Sequence, residues 1–277
     1  MTTVTTAPPT LRLPTSVRAV RVRWRSGLAL AATSVLGVGA FLWPLFVRHS
    51  SGVDGHEADA PFIVAGLLAL LLATVLAELA EGGIDARALA MLGVLASAGS
   101  LLRLLDPRIA LTEGMVFFLL APAGRALGRG FGFLLGALTL FASALLTVGV
   151  GPWLPFQMLG AGWFAFGAGC LPQRMTGRAE VLMLAVYAVV ASEIYGILLD
   201  FSFWPFRLGT TTPQLDFVPG GSVATNLHHF WAFHSATGVG WDLLRGIGTF
   251  ALVIAAGRPV LAALRRASRH AGFEEAV

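Results

Sequence analysis

Residues 122–136 read PAGRALGRGFGFLLG, a stretch with five glycines between two apolar runs. It superficially resembles a glycine-rich phosphate loop, but no strand pattern precedes it and it contains no lysine, so the context argues against a dinucleotide site. Glycines permit a tight turn, and small residues let helices approach closely in a membrane. The stretch therefore predicts a turn between two closely packed helices.

The composition of the whole chain is that of an integral membrane protein. Of its 277 residues, 56% are hydrophobic and 12% are charged, and the mean hydropathy is +0.77, well outside the range of soluble domains. All 19 basic residues are arginine, which excludes a lysine general base, a Schiff base and a phosphate-loop lysine. If ATP drives this protein, another chain must hydrolyse it.

The single cysteine and the net charge exclude further classes of site. The sequence has one cysteine, Cys170, at the end of an apolar run. Because a disulfide and a multi-cysteine metal site each need at least two cysteines, both are excluded within this chain. The net charge of +4 comes from arginines near the ends of apolar runs. They indicate membrane topology, and we expect no nucleic-acid partner.

Eight apolar runs are candidates for membrane helices, because a bilayer core about 30 Å thick requires roughly 20 apolar residues per helix. They are 27–47, 61–80, 88–105, 109–123, 131–150, 156–171, 179–199 and 240–262. Residues 1–26 precede them as a basic arm that we expect to be disordered, because polar, proline-rich sequence buries too little to fold. The first run lacks a small-residue cleavage site and is interpreted as a retained helix, not a signal peptide.

The distribution of arginine predicts the orientation in a cytoplasmic membrane. With the amino terminus in the cytoplasm, 14 of the 19 arginines lie inside. These are Arg12, Arg18, Arg21, Arg23, Arg25, Arg87, Arg125, Arg129, Arg174, Arg178, Arg258, Arg265, Arg266 and Arg269. Both termini are therefore expected in the cytoplasm, with residues 151–156 and the long 200–238 loop on the other side.

Charged residues within apolar runs are costly and usually face a cavity or a partner. Glu193 and Asp200 lie on the seventh run, while Arg103 and Glu113 flank the link between the third and fourth runs. One interpretation is that these groups converge with Gln157 at an outward-facing cavity. The other is that Arg103 and Arg108 pair with Asp106 or Glu113 at the interface and that Asp200 only ends a helix.

The 200–238 loop contains many aromatic residues, including Trp204, Phe206, Trp231 and Phe233. Aromatic residues beside an interface normally form a belt at the headgroup level. The alternative is a lid that folds over a ligand and stacks on it. The histidines of this loop, His228, His229 and His234, lack the i, i+4 spacing of a helical metal site, and we predict no metal and no other cofactor.

One order of elements is familiar. A small-residue helix, a short second helix, the turn GRALGRGFGFLLGAL, a third helix and then GPWLPFQM resemble the substrate-binding (S) component of energy-coupling factor transporters, especially the actinobacterial branch. The resemblance covers about residues 88–262. It implies an all-α membrane bundle in which 81–264 form a six-helix core, 27–80 form two additional amino-terminal transmembrane helices, and 265–277 form a cytoplasmic tail.

The resemblance also implies partners and a mechanism. S components capture a vitamin or related micronutrient outside the cell and then topple in the lipid bilayer against a transmembrane coupling subunit driven by two ABC ATPases. Family members often present an A-x-x-x-A strip on the first core helix to that subunit. The strip here departs from the alanine pattern and comprises Ala86, Ala90, Gly93, Ala96, Ser97 and Ser100. From spacing alone, small-residue strips more often serve packing within one chain.

In this family, three extracellular loops hold the ligand, and their counterparts here are about 104–112, 148–157 and 200–238. The expected substrate-binding residues are Trp153, Gln157, Glu113, Glu193, Trp204, Asn226 and His229. Pro152 and Pro155 are expected to leave carbonyls unpaired beside a cavity, with Trp153 as a flat apolar surface and Gln157 as an oriented amide. The alternative is an interfacial turn with Gln157 bonded to a neighbouring helix.

Two other functions compete with the importer subunit. An intramembrane enzyme would use Glu193, Glu113 and the histidines, which must then lie within hydrogen-bonding reach of one another. A non-transporting scaffold would have its pocket filled by side chains.

Overall fold

The computed structural model describes residues 24–46, 62, 65–74, 86–104, 110–147, 149–206 and 212–270. The regular structure in these residues is helical throughout, which confirms the all-α prediction. The helices are α1 (Trp24–Phe46), α2 (Ala65–Thr74), α3 (Ala86–Arg103), α4 (Ala110–Leu127), α5 (Arg129–Leu146), α6 (Leu154–Cys170), α7 (Gly177–Phe203), α8 (Val223–Thr237) and α9 (Val239–His270). Two short 3₁₀ turns, Trp204–Phe206 and Pro213–Leu215, lie between α7 and α8.

Four of these helices are long and apolar enough to cross a membrane. They are α3, α5, α7 with the 3₁₀ turn that follows it, and α9. Together with the composition, they make the chain a polytopic membrane helix bundle. Residues 1–23 of the expected basic arm lie outside the described residues. The last seven residues of the expected tail lie outside them as well.

Helix α4 is central to the bundle, since it packs against α3, α5, α6, α7 and α9. Helix α1 packs outside this group on α6, α7 and α8, and α2 contacts α1 through a hydrogen bond of 2.5 Å between the Thr33 and Thr74 hydroxyls. We call the end with the α4–α5 turn and the last turns of α9 the arginine end. The opposite end, which carries α8, is the α8 end.

A single residue, Gly128, connects α4 to α5. Its φ of 97° and ψ of 161° lie in a region that is essentially restricted to glycine. The backbone amides of Gly128 and Gly132 donate to the carbonyls four residues before them, so the hydrogen bonding continues almost without a break through the turn. The short connection makes α4 and α5 antiparallel neighbours, as the glycine-rich stretch predicts.

The other glycines of this stretch bring α6 into backbone contact with the α4–α5 pair. A Cβ on Gly132 would lie 2.7 Å from the carbonyl oxygen of Ala165, and a Cβ on Gly124 or Gly136 would overlap the backbone of Ala165 or Ala161. Helix α6 also has a glycine at this contact, Gly169, where a Cβ would lie 2.6 Å from the backbone nitrogen of Arg129. Close helix packing is therefore the role of these glycines.

A buried ion-pair network ties the helices together at the arginine end. Arg125, fully buried on α4, donates from Nε to Glu180 Oε1 over 2.7 Å. Arg265 on α9 donates to both Glu180 oxygens, over 2.6 and 3.1 Å. The remaining donors of Arg125 reach the carbonyls of Leu171, Pro172 and Met175 in the α6–α7 connection. The network therefore fixes α4, α7, α9 and that connection relative to one another.

The main difference from the predicted elements is α8, which lies within the stretch expected to be a loop. Its amino terminus has a cap in which Ser222 Oγ accepts from the Thr225 amide over 3.1 Å, and Gly220, with a φ of 72°, makes the turn before it. The polar residues of α8 hide its periodicity in a hydropathy profile. At the carboxyl end, α9 continues to His270, beyond the predicted run and the expected boundary at 264.

We predict that Gly136→Ala destabilises the protein, because the added methyl group overlaps the α6 backbone and neither helix can move without disturbing the bundle. The expected loss is about 1–3 kcal/mol, the usual cost of overpacking. It is measured as a lower midpoint of thermal unfolding in detergent. The control is Gly93→Ala on α3, where the new Cβ meets nothing within 4 Å and stability should be unchanged or higher. Equal effects of the two substitutions would contradict the packing role.

Candidate functional site

The start of α6 is a turn in which three backbone carbonyls accept hydrogen bonds. The Gly151 carbonyl accepts from the Leu154 amide over 3.0 Å, and the Trp153 carbonyl accepts from the Gln157 amide over 3.0 Å. The indole nitrogen of Trp153 donates to the Gly149 carbonyl over 3.2 Å, and the ring is 50% exposed. Pro155 lies in the first turn of α6, where proline is favoured. The expectation that the prolines leave carbonyls unpaired is therefore wrong for the carbonyls of Gly149, Gly151 and Trp153.

Gln157 does meet a charged partner in the bundle. Its Oε1 accepts from Arg103 Nη2 over 3.2 Å, while Arg103 Nη1 donates to Ser143 Oγ over 3.0 Å. The three residues come from α6, α3 and α5. Arg103 is thus held among three helices at the α8 end. The contact between Arg103 and Gln157 is the one expected from the alternative in which Gln157 is bonded to a neighbouring helix.

Two aromatic rings and a second arginine continue this cluster toward α9. The rings of Phe117 and Tyr195 pack edge to face with centroids 4.9 Å apart. The guanidinium of Arg245 lies 5.0 Å from the Tyr195 centroid and 5.6 Å from the Phe117 centroid, within the range of cation–π attraction. A cavity of about 10 Å³ lies between these rings and Arg103, which is barely enough for one water molecule.

Arg245 also pairs with a buried carboxylate. It donates to Asp242 Oδ1 one turn earlier on α9 and to the Ser192 carbonyl on α7, the latter over 2.9 Å. Both ion-pair partners are almost fully buried. The helix α7 makes room for Asp242 with Gly196, where a Cβ would overlap the carboxylate. Asp242 Oδ2 has no hydrogen-bond partner among the described residues.

His234 on α8 bridges two acidic residues of α7. Its Nδ1 lies 2.7 Å from Asp200 Oδ2, and its Nε2 lies 3.2 Å from Glu193 Oε1. Burial opposes the charged form of His234, but the hydrogen bonds to Asp200 and Glu193 outweigh it, so the pKa of His234 lies above its ordinary value. The interaction attaches α8 to α7, and Asp242 on α9 adds to the negative charge around the imidazole.

These groups form one continuous feature, which we call the polar layer. Its members come from α3, α4, α6, α7, α8 and α9, and they are Arg103, Phe117, Gln157, Glu193, Tyr195, Asp200, His234, Asp242 and Arg245. Ligand-type atoms of Glu193, His234 and Asp242 lie within 4.8 Å of one another. A cation there would compete with Arg245 for Asp242, so the electrostatics disfavour a metal at this position.

Three other expected binding residues hold the chain that precedes α8. The Asn226 side chain exchanges two hydrogen bonds with the backbone of Val218, and His229 Nδ1 lies 2.8 Å from the Asp216 carbonyl. Trp204 is fully buried, donates to the Leu215 carbonyl over 2.8 Å and packs edge to face on Phe217. Their observed contacts are structural. The side chain of Glu113 lies outside the described part of the chain, as do Asp106 and Arg108.

The small residues of α3 divide between two faces. Ala96 and Ser100 are buried, and Ser100 Oγ donates to the Thr139 carbonyl of α5 over 3.1 Å. The remaining four, Ala86, Ala90, Gly93 and Ser97, are exposed, and their i, i+4, i+7, i+11 spacing places them on one side of the helix. The predicted strip of six is therefore a strip of four, with the other two residues packing inside the chain.

Several members of the polar layer were not expected as binding residues. Tyr195 and Phe117 look like ordinary apolar positions in the sequence. Asp242 and Arg245 carry a usable signal, because an acid and a base three residues apart on a helix are neighbours. His234 was considered either as a metal ligand or as one of the histidines of an intramembrane enzyme. Its partnership with Asp200 depends on α8, which lies in the stretch predicted to be a loop.

Comparison with known proteins adds no relative. No protein-family model matches the chain, no curated protein matches it and no solved structure matches it.

We predict that the attachment of α8 weakens as the pH rises. A group whose pKa is raised in the folded protein contributes stability that is present below its unfolded pKa of about 6.5 and is lost as the pH passes the folded value. Hydrogen exchange, corrected for its intrinsic pH dependence, should therefore show less protection of α8 amides at alkaline pH than at pH 6. His234→Gln should remove this dependence, whereas His228→Gln, at an exposed position, should retain it.

Proposed function

We propose that this chain is the substrate-binding subunit of an energy-coupling factor type importer. It would capture a vitamin or related micronutrient and present it to a transmembrane coupling subunit and two ABC ATPases. The observation that carries the proposal is the polar layer, which spans the interior of an apolar bundle at the α8 end. Polar and ionisable groups within membrane bundles are expensive and commonly mark substrate pathways.

The chemistry of the polar layer suits a small heterocyclic ligand. The guanidinium and amide of Arg103 and Gln157 offer oriented hydrogen-bonding groups, and Phe117 and Tyr195 offer flat apolar surfaces. Aromatic walls with a few polar groups are the usual lining of small-molecule sites. Because the arginines concentrate at the other end, the positive-inside rule supports a cytoplasmic arginine end and an extracellular α8 end.

The exposed face of α3 supports the coupling step. Helix α3 has the smallest buried share of the four long apolar helices, and the four small residues on its exposed face would let another helix approach closely. In the proposal, this face meets the coupling subunit. The chain has no lysine for a phosphate loop of its own, so the ATPases are separate polypeptides.

The small size of the cavity favours a second candidate, a non-transporting scaffold. Side chains leave a cavity of only about 10 Å³ beside Arg103, which is too small for a vitamin. A vitamin would fit only if Gln157 and Arg103 separated. A scaffold would keep this arrangement under all conditions. Ligand binding that depends on Gln157 therefore discriminates between the two functions.

We predict that Gln157→Ala weakens retention of a micronutrient at least about tenfold, because it removes an oriented acceptor beside a charged group. The protein is purified from its native membrane in mild detergent, and the retained small molecules are identified by mass spectrometry. The matched control is Gln173→Ala, which removes an exposed glutamine at the arginine end. An empty protein in several detergents, with and without the substitution, would favour the scaffold.

We predict that Ala90→Leu abolishes co-purification of a transmembrane partner and two ATPases while leaving ligand retention and thermal stability unchanged. The larger side chain would hold the partner helix away from the exposed α3 face. Ala255→Leu is the control, since Ala255 is exposed on α9, away from the α3 strip. If Ala90→Leu and the unmodified chain recover the same partners, the α3 face is not the docking surface.

A further inference from the structure

The second cavity of interest lies at the arginine end, between the start of α7 and the last turns of α9. Its volume is about 340 Å³, and its lining includes Arg258, Arg265, Arg266 and Arg269. These arginines recur at i, i+7, i+8 and i+11, so they line one side of α9. A volume near 300 Å³ is sufficient for a small ligand. The cavity is far from the polar layer, at the opposite end of the same two helices.

The one carboxylate of this cavity is already neutralised. Glu180 accepts from Arg125 Nε over 2.7 Å and from both terminal nitrogens of Arg265. Arg258, Arg266 and Arg269 are exposed and have no carboxylate partner among the described residues. The lining thus carries four guanidiniums and a single carboxylate, which leaves an excess of three positive charges. The electrostatics favour an anion.

The position of the cavity favours an anion attached to a lipid. Helix α9 has 32 residues, whereas about 20 suffice to cross the hydrocarbon core, so its last turns extend to the level of the headgroups. Val181, Leu261 and Ala262 provide an apolar wall, and neighbouring Leu182 and Ile254 are exposed on the same two helices. Arg266 and Arg269 lie beyond this wall toward the end of α9. The cavity therefore offers positive charge and an apolar surface to the two halves of a phospholipid.

We propose that this cavity binds the phosphate of an anionic phospholipid headgroup, with Arg266 and Arg269 as the phosphate ligands and the apolar wall beside the acyl chains. Guanidinium groups bind phosphate oxygens through paired, charge-assisted hydrogen bonds. Arg265 takes a supporting role, because its terminal nitrogens are bound to Glu180. Basic pockets between transmembrane helices bind anionic headgroups in this way.

The test compares two double variants of the full chain that each remove two exposed arginines from the arginine end. Arg266→Gln with Arg269→Gln alters the cavity, whereas Arg174→Gln with Arg178→Gln alters arginines outside its lining. Each protein is reconstituted with phosphatidylcholine containing a small fraction of phosphatidylglycerol. Retained phosphatidylglycerol is counted by native mass spectrometry after extraction at about 0.5 M salt, where diffuse attraction is screened within a few ångströms.

The cavity variant should retain phosphatidylglycerol at least about tenfold more weakly than the unmodified protein, and the control variant should change less than twofold. Arg266→Lys with Arg269→Lys should recover part of the loss, because the charge remains while the paired geometry is lost. Equal retention by the cavity and control variants would overturn the proposal. Thermal unfolding of all variants verifies that the fold is intact.

A separate arm distinguishes a lipid from a soluble phosphate. Inorganic phosphate in the millimolar range is added during extraction. If the lipid stays bound, the acyl chains contribute and the lipid assignment holds. If phosphate displaces phosphatidylglycerol from the unmodified protein and binds the cavity variant more weakly, the cavity selects phosphate but the lipid assignment is wrong. None of these outcomes depends on transport.

Discussion

The backbone contact between α6 and the α4–α5 pair is the constraint on which the rest of the structure depends. In a bilayer, apolar side chains gain little by leaving lipid for protein, so close packing must supply much of the attraction between helices. Gly124, Gly132 and Gly136 permit that packing by leaving space for the α6 backbone, and Gly128 permits the one-residue connection. Together they place α4 at the centre of the bundle. The same principle operates at the α8 end, where a Cβ on Gly114 would lie 3.1 Å from the Arg245 carbonyl.

The two ends of the bundle use buried charge for different purposes. At the arginine end, Glu180 has hydrogen bonds to both oxygens, from Arg125 and Arg265, and breaking such a pair costs about 3–5 kcal/mol. This arrangement is typical of a structural clamp. In the polar layer, the carboxylate oxygens Asp242 Oδ2 and Glu193 Oε2 have no hydrogen-bond partner among the described residues, whereas in the clamp both carboxylate oxygens are bonded and only the Arg265 Nε donor lacks a partner. Incompletely satisfied buried groups are costly, and their presence is more typical of a binding site than of a clamp.

The sequence was sufficient for features that depend on local patterns and insufficient for features that depend on tertiary approach. The apolar runs predicted an all-α fold, and the glycine-rich stretch predicted the tight turn between α4 and α5. Both predictions rest on patterns that are local in the sequence. Helix α8 was missed because Asn226, His228 and His229 interrupt its apolar face, although the Ser222 cap is visible. Ala96 and Ser100 could not be separated from Gly93 and Ser97 by spacing, since the helix packing partner decides which face is buried. The contact between Tyr195 and Arg245 could not be predicted, because it exists only where α7 packs against α9.

The distribution of burial within the polar layer indicates which side of it can open. Arg245 and Asp242 are about 2% and 4% exposed, so separating them would leave two desolvated charges, at a cost of about 3–5 kcal/mol. Arg103 and Gln157 are both half-buried, and water can replace the hydrogen bond between them at a net cost of about 1.5–3 kcal/mol. A ligand that reaches the aromatic pair Phe117 and Tyr195 would therefore enter beside Gln157, while Arg245 stays in place as the fixed wall.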